Sequence, residues 1–244
     1  MKALHAAAVA LAIAGAAGCG GGEKEQLGGA TTVSSTPVRP PCSPGVHAFK
    51  LQNGQSVRMR VTPKGSGKRA LVVVLHGAGG SPDSGLRAFE GGWDEPGLVL
   101  IAPASKGQTW SVLRAEEDHD LESVNLALAE AYERCEIDRT RIAVGGFSDG
   151  GTYALTLGLS NGELFRSIMA LSPGGIVGGQ QAGVPRVFVS HGTLDDVLPI
   201  AQAGDAVVRQ LRAAGYPVEY HRFVGGHEAS TATSAAAVRW FLEG

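Results

Sequence analysis

The spacing of apolar and polar residues changes period repeatedly after Gly45, and each change marks an element. The opening stretch, LQNGQSVRMRVTP, alternates about an Asn-Gly pair and predicts a two-stranded start with a tight turn. RALVVVLHG and LVLIAPAS are short unbroken apolar runs, the pattern of strands covered on both faces. DLESVNLALAEAYERC instead repeats at helical spacing and sets Leu121, Val124, Leu128 and Ala131 on one stripe. RIAVGG, SIMALSP, PRVFVSHG and PVEYHRF follow as strands, separated by TYALTLGLS, AQAGDAVVRQLRAAG and SAAAVRWFLEG as helices. Strands alternating with helices predict an α/β fold, a mostly parallel sheet with helices on both faces.

The first residues obey a different rule. MKALHAAAVALAIAGAAGCGGG has one Lys, an Ala-rich apolar stretch and small residues up to Cys19. That is the pattern of a secretory signal over residues 1–18, too short and too glycine-ended to span a membrane. Ala16, Ala17, Gly18 and Cys19 resemble a bacterial lipobox, departing from it at Ala16, where Leu is usual. The resemblance implies lipidation of Cys19 and an exported, membrane-anchored lipoprotein; ordinary cleavage and full secretion is the alternative. Residues 19–44 are Gly-, Ser-, Thr- and Pro-rich and cannot bury enough apolar surface to fold, which predicts a tether.

Composition then bounds the rest. With 244 residues and 43% hydrophobic content, the chain can build one core of ordinary size, over residues 45–244. Its 21 Lys plus Arg against 23 Asp plus Glu leave no basic surplus to draw it to nucleic acid. Cys42 and Cys135 remain beyond Cys19, and in an exported protein such a pair predicts a disulfide.

The candidate chemistry lies at the carboxyl ends of the strands, where open α/β sheets bind ligands. Ser148 in GFSDGG follows RIAVGG; Asp195 and Asp196 follow PRVFVSHG; His227 follows PVEYHRFVGG. A serine hydroxyl is a weak nucleophile near neutral pH and needs an imidazole to take its proton. A carboxylate on the other ring nitrogen then fixes the tautomer and stabilises the imidazolium. Serine in GxSxG, followed in order by Asp and His, is the nucleophile-elbow arrangement of α/β-hydrolases. There the backbone N–H of Asp149 would meet a substrate's carbonyl oxygen, and HGAGG, His76 to Gly80, stands where a second oxyanion donor belongs. Residue chemistry alone leaves Asp195 and Asp196 equivalent.

Other polar residues have plainer roles. His76 is expected to shape its loop, His221 falls inside a strand, and His119 in EEDHD marks a helix entrance with no second ligand cluster for a metal. Trp110, after LVLIAPAS, fits core and, from its place at a strand's carboxyl end, equally a substrate-binding wall.

From about Cys42 onward the chain resembles the bacterial serine-esterase branch of the α/β-hydrolases, which includes phospholipase/carboxylesterase-like and secreted feruloyl esterase or polyhydroxybutyrate depolymerase-like proteins. LHGAGG, IAPASKGQTW, CEIDRTRIAVGGFSDGG, SHGTLDDVLPI and GGH carry the likeness. It implies the α/β-hydrolase fold without a large cap domain, and hydrolysis of small-molecule or polymer esters without a cofactor. HGTxD with a later Pro assigns the acid to Asp195, beside Ser148 as nucleophile and His227 as base. Ala78 then gives the second oxyanion N–H, and Cys135 stands where secreted members carry a cysteine, which supports pairing with Cys42. A peptidase and a non-catalytic binding module on the same fold are the competing expectations.

Overall fold

The computed structural model describes residues 42–178 and 181–244. The expected signal segment, Cys19 and the tether up to residue 41 lie outside the described residues. Eight strands, β1 (Gly45–Lys50), β2 (Ser56–Val61), β3 (Arg69–Leu75), β4 (Leu98–Pro103), β5 (Ile137–Phe147), β6 (Ser167–Leu171), β7 (Arg186–Gly192) and β8 (Val218–Phe223), form one sheet. Its spatial order is β1-β2-β4-β3-β5-β6-β7-β8. β1 and β2 pair antiparallel, β2 meets β4 antiparallel, and every pair from β4 to β8 is parallel.

Among the described residues, five α-helices cover the sheet: α1 (Pro82–Arg87), α2 (Leu121–Arg134), α3 (Asp149–Ser160), α4 (Gly204–Ala213) and α5 (Thr231–Leu242). Alternation along β3 shows how both faces are buried. Leu71, Val73 and Leu75 join the core under α2, α3 and α4, with Val124, Tyr153, Leu155 and Val207. Val72 and Val74 point the other way, into a second core with Leu86 of α1 and Val238 and Phe241 of α5. This period of two within an all-apolar run is why the strand needs no polar face.

Several expectations shift. The first strand, GVHAFK, lies just upstream of the stretch expected to hold it; the Asn-Gly turn then leads into β2, with Gly54 at φ +81°. Leu121 is 39% exposed, because as the first residue of α2 it stands beyond the core that Val124, Leu128 and Ala131 reach. α1 carries no long apolar stripe to announce it. A capping box, with Ser81 and Ser84 each accepting from the other's backbone N–H, starts this short helix instead.

Cys42 and Cys135 form a disulfide with Cα atoms 5.2 Å apart, fastening the chain ahead of β1 to the end of α2. Cross-linking residues 93 apart restricts the unfolded chain, so reduction is expected to cost about 2–4 kcal/mol. Thermal melts with and without reductant check this, and coincident curves would show that the bridge contributes nothing.

Candidate active site

Ser148 occupies the turn between β5 and α3 at φ 56°, ψ −120°, a conformation that costs a non-glycine residue on the order of 1–3 kcal/mol. The flanking glycines allow that turn. A Cβ on Gly146 would stand 2.2 Å from the Gly150 carbonyl carbon, and one on Gly150 would stand 2.1 Å from the Leu75 carbonyl oxygen. Strand and helix therefore approach more closely than any side chain permits. The backbone holds the serine from both sides, with its N–H donating to the Leu171 carbonyl (2.9 Å) and its carbonyl accepting from Thr152 N–H (3.0 Å).

His227 comes from the loop between β8 and α5. Its Nε2 lies 2.8 Å from Ser148 Oγ and its Nδ1 lies 2.7 Å from Asp195 Oδ2. The ring leans on Phe147, with centroids 4.9 Å apart. The loop is held against its neighbours: Ser172 Oγ donates to the Glu228 carbonyl at 3.2 Å, Leu194 N–H donates to the Gly225 carbonyl at 2.9 Å, and Gly192 lies so close that a Cβ there would be 2.2 Å from the Gly226 carbonyl oxygen.

Asp195 is buried at the end of β7, whereas Asp196 is exposed. Burial alone would raise the Asp195 pKa, but the Leu198 N–H on Oδ1 (2.7 Å) and His227 on Oδ2 outweigh it and hold the carboxyl below its ordinary value. It is thus a carboxylate wherever an imidazole can act as base. Val197 N–H also donates to Oδ1, at 3.0 Å.

A second histidine, which the sequence did not single out, shares that carboxylate. His191 is fully buried; its Nε2 lies 2.8 Å from the Leu198 carbonyl and 3.2 Å from Asp195 Oδ2, while its Nδ1 is buried with no hydrogen-bond partner among the described residues. The available signal was its place in SHGTLDD, four residues before Asp195.

The two expected oxyanion donors flank the serine. Asp149 is the first residue of α3, and Ala78 lies in the exposed turn after β3. Neither backbone N–H has a hydrogen-bond partner among the described residues, so both are free to donate to a ligand. Gly77 brings its turn against the serine: a Cβ there would sit 3.3 Å from Ser148 Cβ.

His76 shapes this turn. Its Nδ1–H donates to the Gly77 carbonyl (2.8 Å) and its Nε2 accepts from Ser105 N–H (3.1 Å), while burial lowers its pKa and keeps the ring neutral. In EEDHD, Asp118 accepts the Leu121 N–H that opens α2 (3.1 Å) and the Tyr153 hydroxyl (2.8 Å). His221 pairs with Glu219 at the edge of the sheet.

Trp110 is not a wall of the site. It is fully buried, stacked on Tyr153 at 5.0 Å with the His76 ring tilted against it at 4.8 Å, and its Nε1–H donates to the His76 carbonyl at 2.9 Å. Turning inward removes a large apolar surface from water while the indole N–H keeps a partner. Trp110 supports the turn from beneath.

Beside His227 lies an open cleft of about 370 Å³ whose lining includes Ser84, Arg87, Ala88, Phe147 and Ala229. A bigger cleft, about 990 Å³, is lined by Arg141, Ser167 and Arg186 at the starts of β5, β6 and β7, the opposite end from Ser148. The smaller cleft is the one that meets the candidate chemistry.

Similar proteins agree with this architecture. Esterase PE8 superimposes with a TM-score of 0.64 at 24% identity, over 80% of this chain and 99% of its own. Esterase 2 of Thermogutta terrifontis, solved phosphorylated by paraoxon, gives 0.63 at 17% identity, over 82% and 94%. At such identities the likeness concerns the fold. In sequence, NocK of Nocardia uniformis subsp. tsuyamanensis, whose name assigns it to the esterases, is 29% identical over 115 residues, 43% of this chain and 33% of NocK. The chain thus spans about a third of the length of that relative. Residues 114–244, more than half the chain and including Ser148, Asp195 and His227, match the phospholipase/carboxylesterase family, and the chain belongs to it.

Proposed function

We propose that this protein is a serine esterase that hydrolyses carboxylic esters through an acyl-enzyme on Ser148. The observation that carries the proposal is the unbroken contact from Ser148 Oγ to His227 and on to Asp195, at 2.8 and 2.7 Å. His227 takes the Ser148 proton as Oγ attacks the ester carbonyl, and returns it to the departing alkoxide. Water then attacks the acyl-enzyme with the same base assistance, releasing the acid. The N–H groups of Ala78 and Asp149 hold the oxyanion in both steps; losing one such donor usually costs ~10²–10³ in rate. Labelling with a fluorophosphonate probe followed by peptide mapping tests the assignment. An unlabelled Ser148 in folded protein would favour a binding module built on the same fold.

We propose short-chain or aromatic acyl esters as substrates, or an accessible polymer strand. Between α3 and β7 the described residues hold only β6 and loops, which leaves no helical lid, and the cleft beside His227 is open. An apolar tunnel would gain ~0.8 kcal/mol for each buried CH₂ of a long chain, a gain that an open cleft does not offer. Along p-nitrophenyl esters from acetate to palmitate, kcat/KM is expected to peak among the short chains. A steady rise toward palmitate, or a jump above the critical micelle concentration, would contradict the open site.

We further propose export and anchoring through lipidated Cys19. No helix among the described residues is long and apolar enough to cross a membrane, so an anchor would have to come from elsewhere. Full-length protein expressed in a bacterium is expected to partition into the detergent phase of Triton X-114, and its Cys19→Ser variant into the aqueous phase. Equal partitioning of the two would rule the anchor out.

A further inference from the structure

We propose that Thr109 is a positioning residue for the oxyanion hole, acting through the Asp149 carboxylate, within a brace formed by residues 105–111. The inference rests on the esterase proposal and concerns residues that carry out none of its bond-making steps.

The brace begins at a buried anchor. Asp120 is fully buried, and its carboxylate accepts three hydrogen bonds from the two ends of the segment. Lys106 N–H donates to Oδ1 at 2.6 Å, and Ser111 N–H and Oγ–H donate to Oδ2 at 2.7 and 2.8 Å. A carboxylate satisfied in this way, away from water, holds its partners rigidly. The segment is therefore fixed without help from Thr109.

From that anchor it reaches both oxyanion donors. On the Ala78 side, the Gln108 carbonyl accepts Gly79 N–H at 2.6 Å, and Ser105 and Trp110 donate to His76 at 3.1 and 2.9 Å. On the Asp149 side, Thr109 Oγ1 donates to Asp149 Oδ2 at 2.5 Å, a short charge-assisted bond. One rigid segment thus spans the two turns whose N–H groups must converge on a single oxygen. The Thr109 bond also fixes where the Asp149 charge sits, which matters because that charge belongs to the residue whose N–H receives a developing oxyanion. Thr109 is half-buried, so removing its hydroxyl leaves the core intact.

The test compares Thr109→Val, Thr109→Ser and Asp149→Ala on p-nitrophenyl acetate, with phenylboronic acid as a probe whose tetrahedral adduct on Ser148 places an oxygen in the hole. Thr109→Val is expected to lower kcat about ten-fold with KM within about two-fold, less than full loss of a donor. Its boronic acid inhibition constant should rise by a similar factor while the melting temperature holds. Thr109→Ser keeps the hydroxyl and should restore both. Asp149→Ala cuts the same bond from its other end, so the double variant should be no worse than the poorer single variant. Wild-type kcat and boronic acid affinity in Thr109→Val, a Thr109→Ser as impaired as Thr109→Val, or multiplying losses in the double variant would each overturn the proposal. If Thr109→Val does not fold, Asp149→Ala gives the same readout. A wild-type protein that neither turns over the ester nor binds phenylboronic acid would instead overturn the esterase assignment.

Discussion

Ser148→Ala is expected to abolish hydrolysis of p-nitrophenyl acetate, a loss on the order of 10⁶ in kcat, while the protein stays folded. Without Oγ no acyl-enzyme can form, and the free Ala78 and Asp149 N–H groups can then only stabilise direct attack by water. The backbone conformation at residue 148 is held by its bonds to Leu171 and Thr152, which alanine retains. Activity measured beside circular dichroism separates lost chemistry from lost structure. Turnover above a small fraction of wild type, with contaminating esterase excluded, or continued fluorophosphonate labelling, would move the nucleophile elsewhere.

Asp195→Asn is expected to lower kcat about 10⁴-fold, and Asp196→Asn by no more than about two-fold. The geometry gives a specific cause. Oδ1 of Asp195 accepts two backbone N–H groups, from Val197 and Leu198, so an asparagine must turn its oxygen to them and its NH₂ toward His227 Nδ1. The imidazole can then only accept at Nδ1, which puts its proton on Nε2, the nitrogen facing Ser148. A protonated Nε2 cannot take the serine's proton. Asp196 is exposed and its side chain has no hydrogen-bond or ion-pair partner among the described residues. Comparable losses in both variants would return the choice of acid to the state in which residue chemistry left it.

The sequence by itself determined the α/β architecture, because strand and helix periods are local properties that unbroken apolar runs such as RALVVVL and stripes such as Val124, Leu128 and Ala131 display directly. It also marked the elbow. Gly146 and Gly150 stand where a side chain would strike backbone at 2.2 and 2.1 Å, so that steric demand is written into residue identity. The order of Ser148, Asp195 and His227 at successive strand ends was equally visible; the distances joining them were not, since 79 and 32 residues separate the partners. Only the tertiary structure decided which way Trp110 faces, because its burial depends on His76 and Tyr153, remote in sequence, and on a carbonyl that accepts its N–H. The same holds for His191 on the Asp195 carboxylate and for Thr109 and Asp120 around the turns that carry Ala78 and Asp149. Polar side chains take their partners from whatever the fold places within about 3 Å, and no period or spacing along the chain encodes that distance.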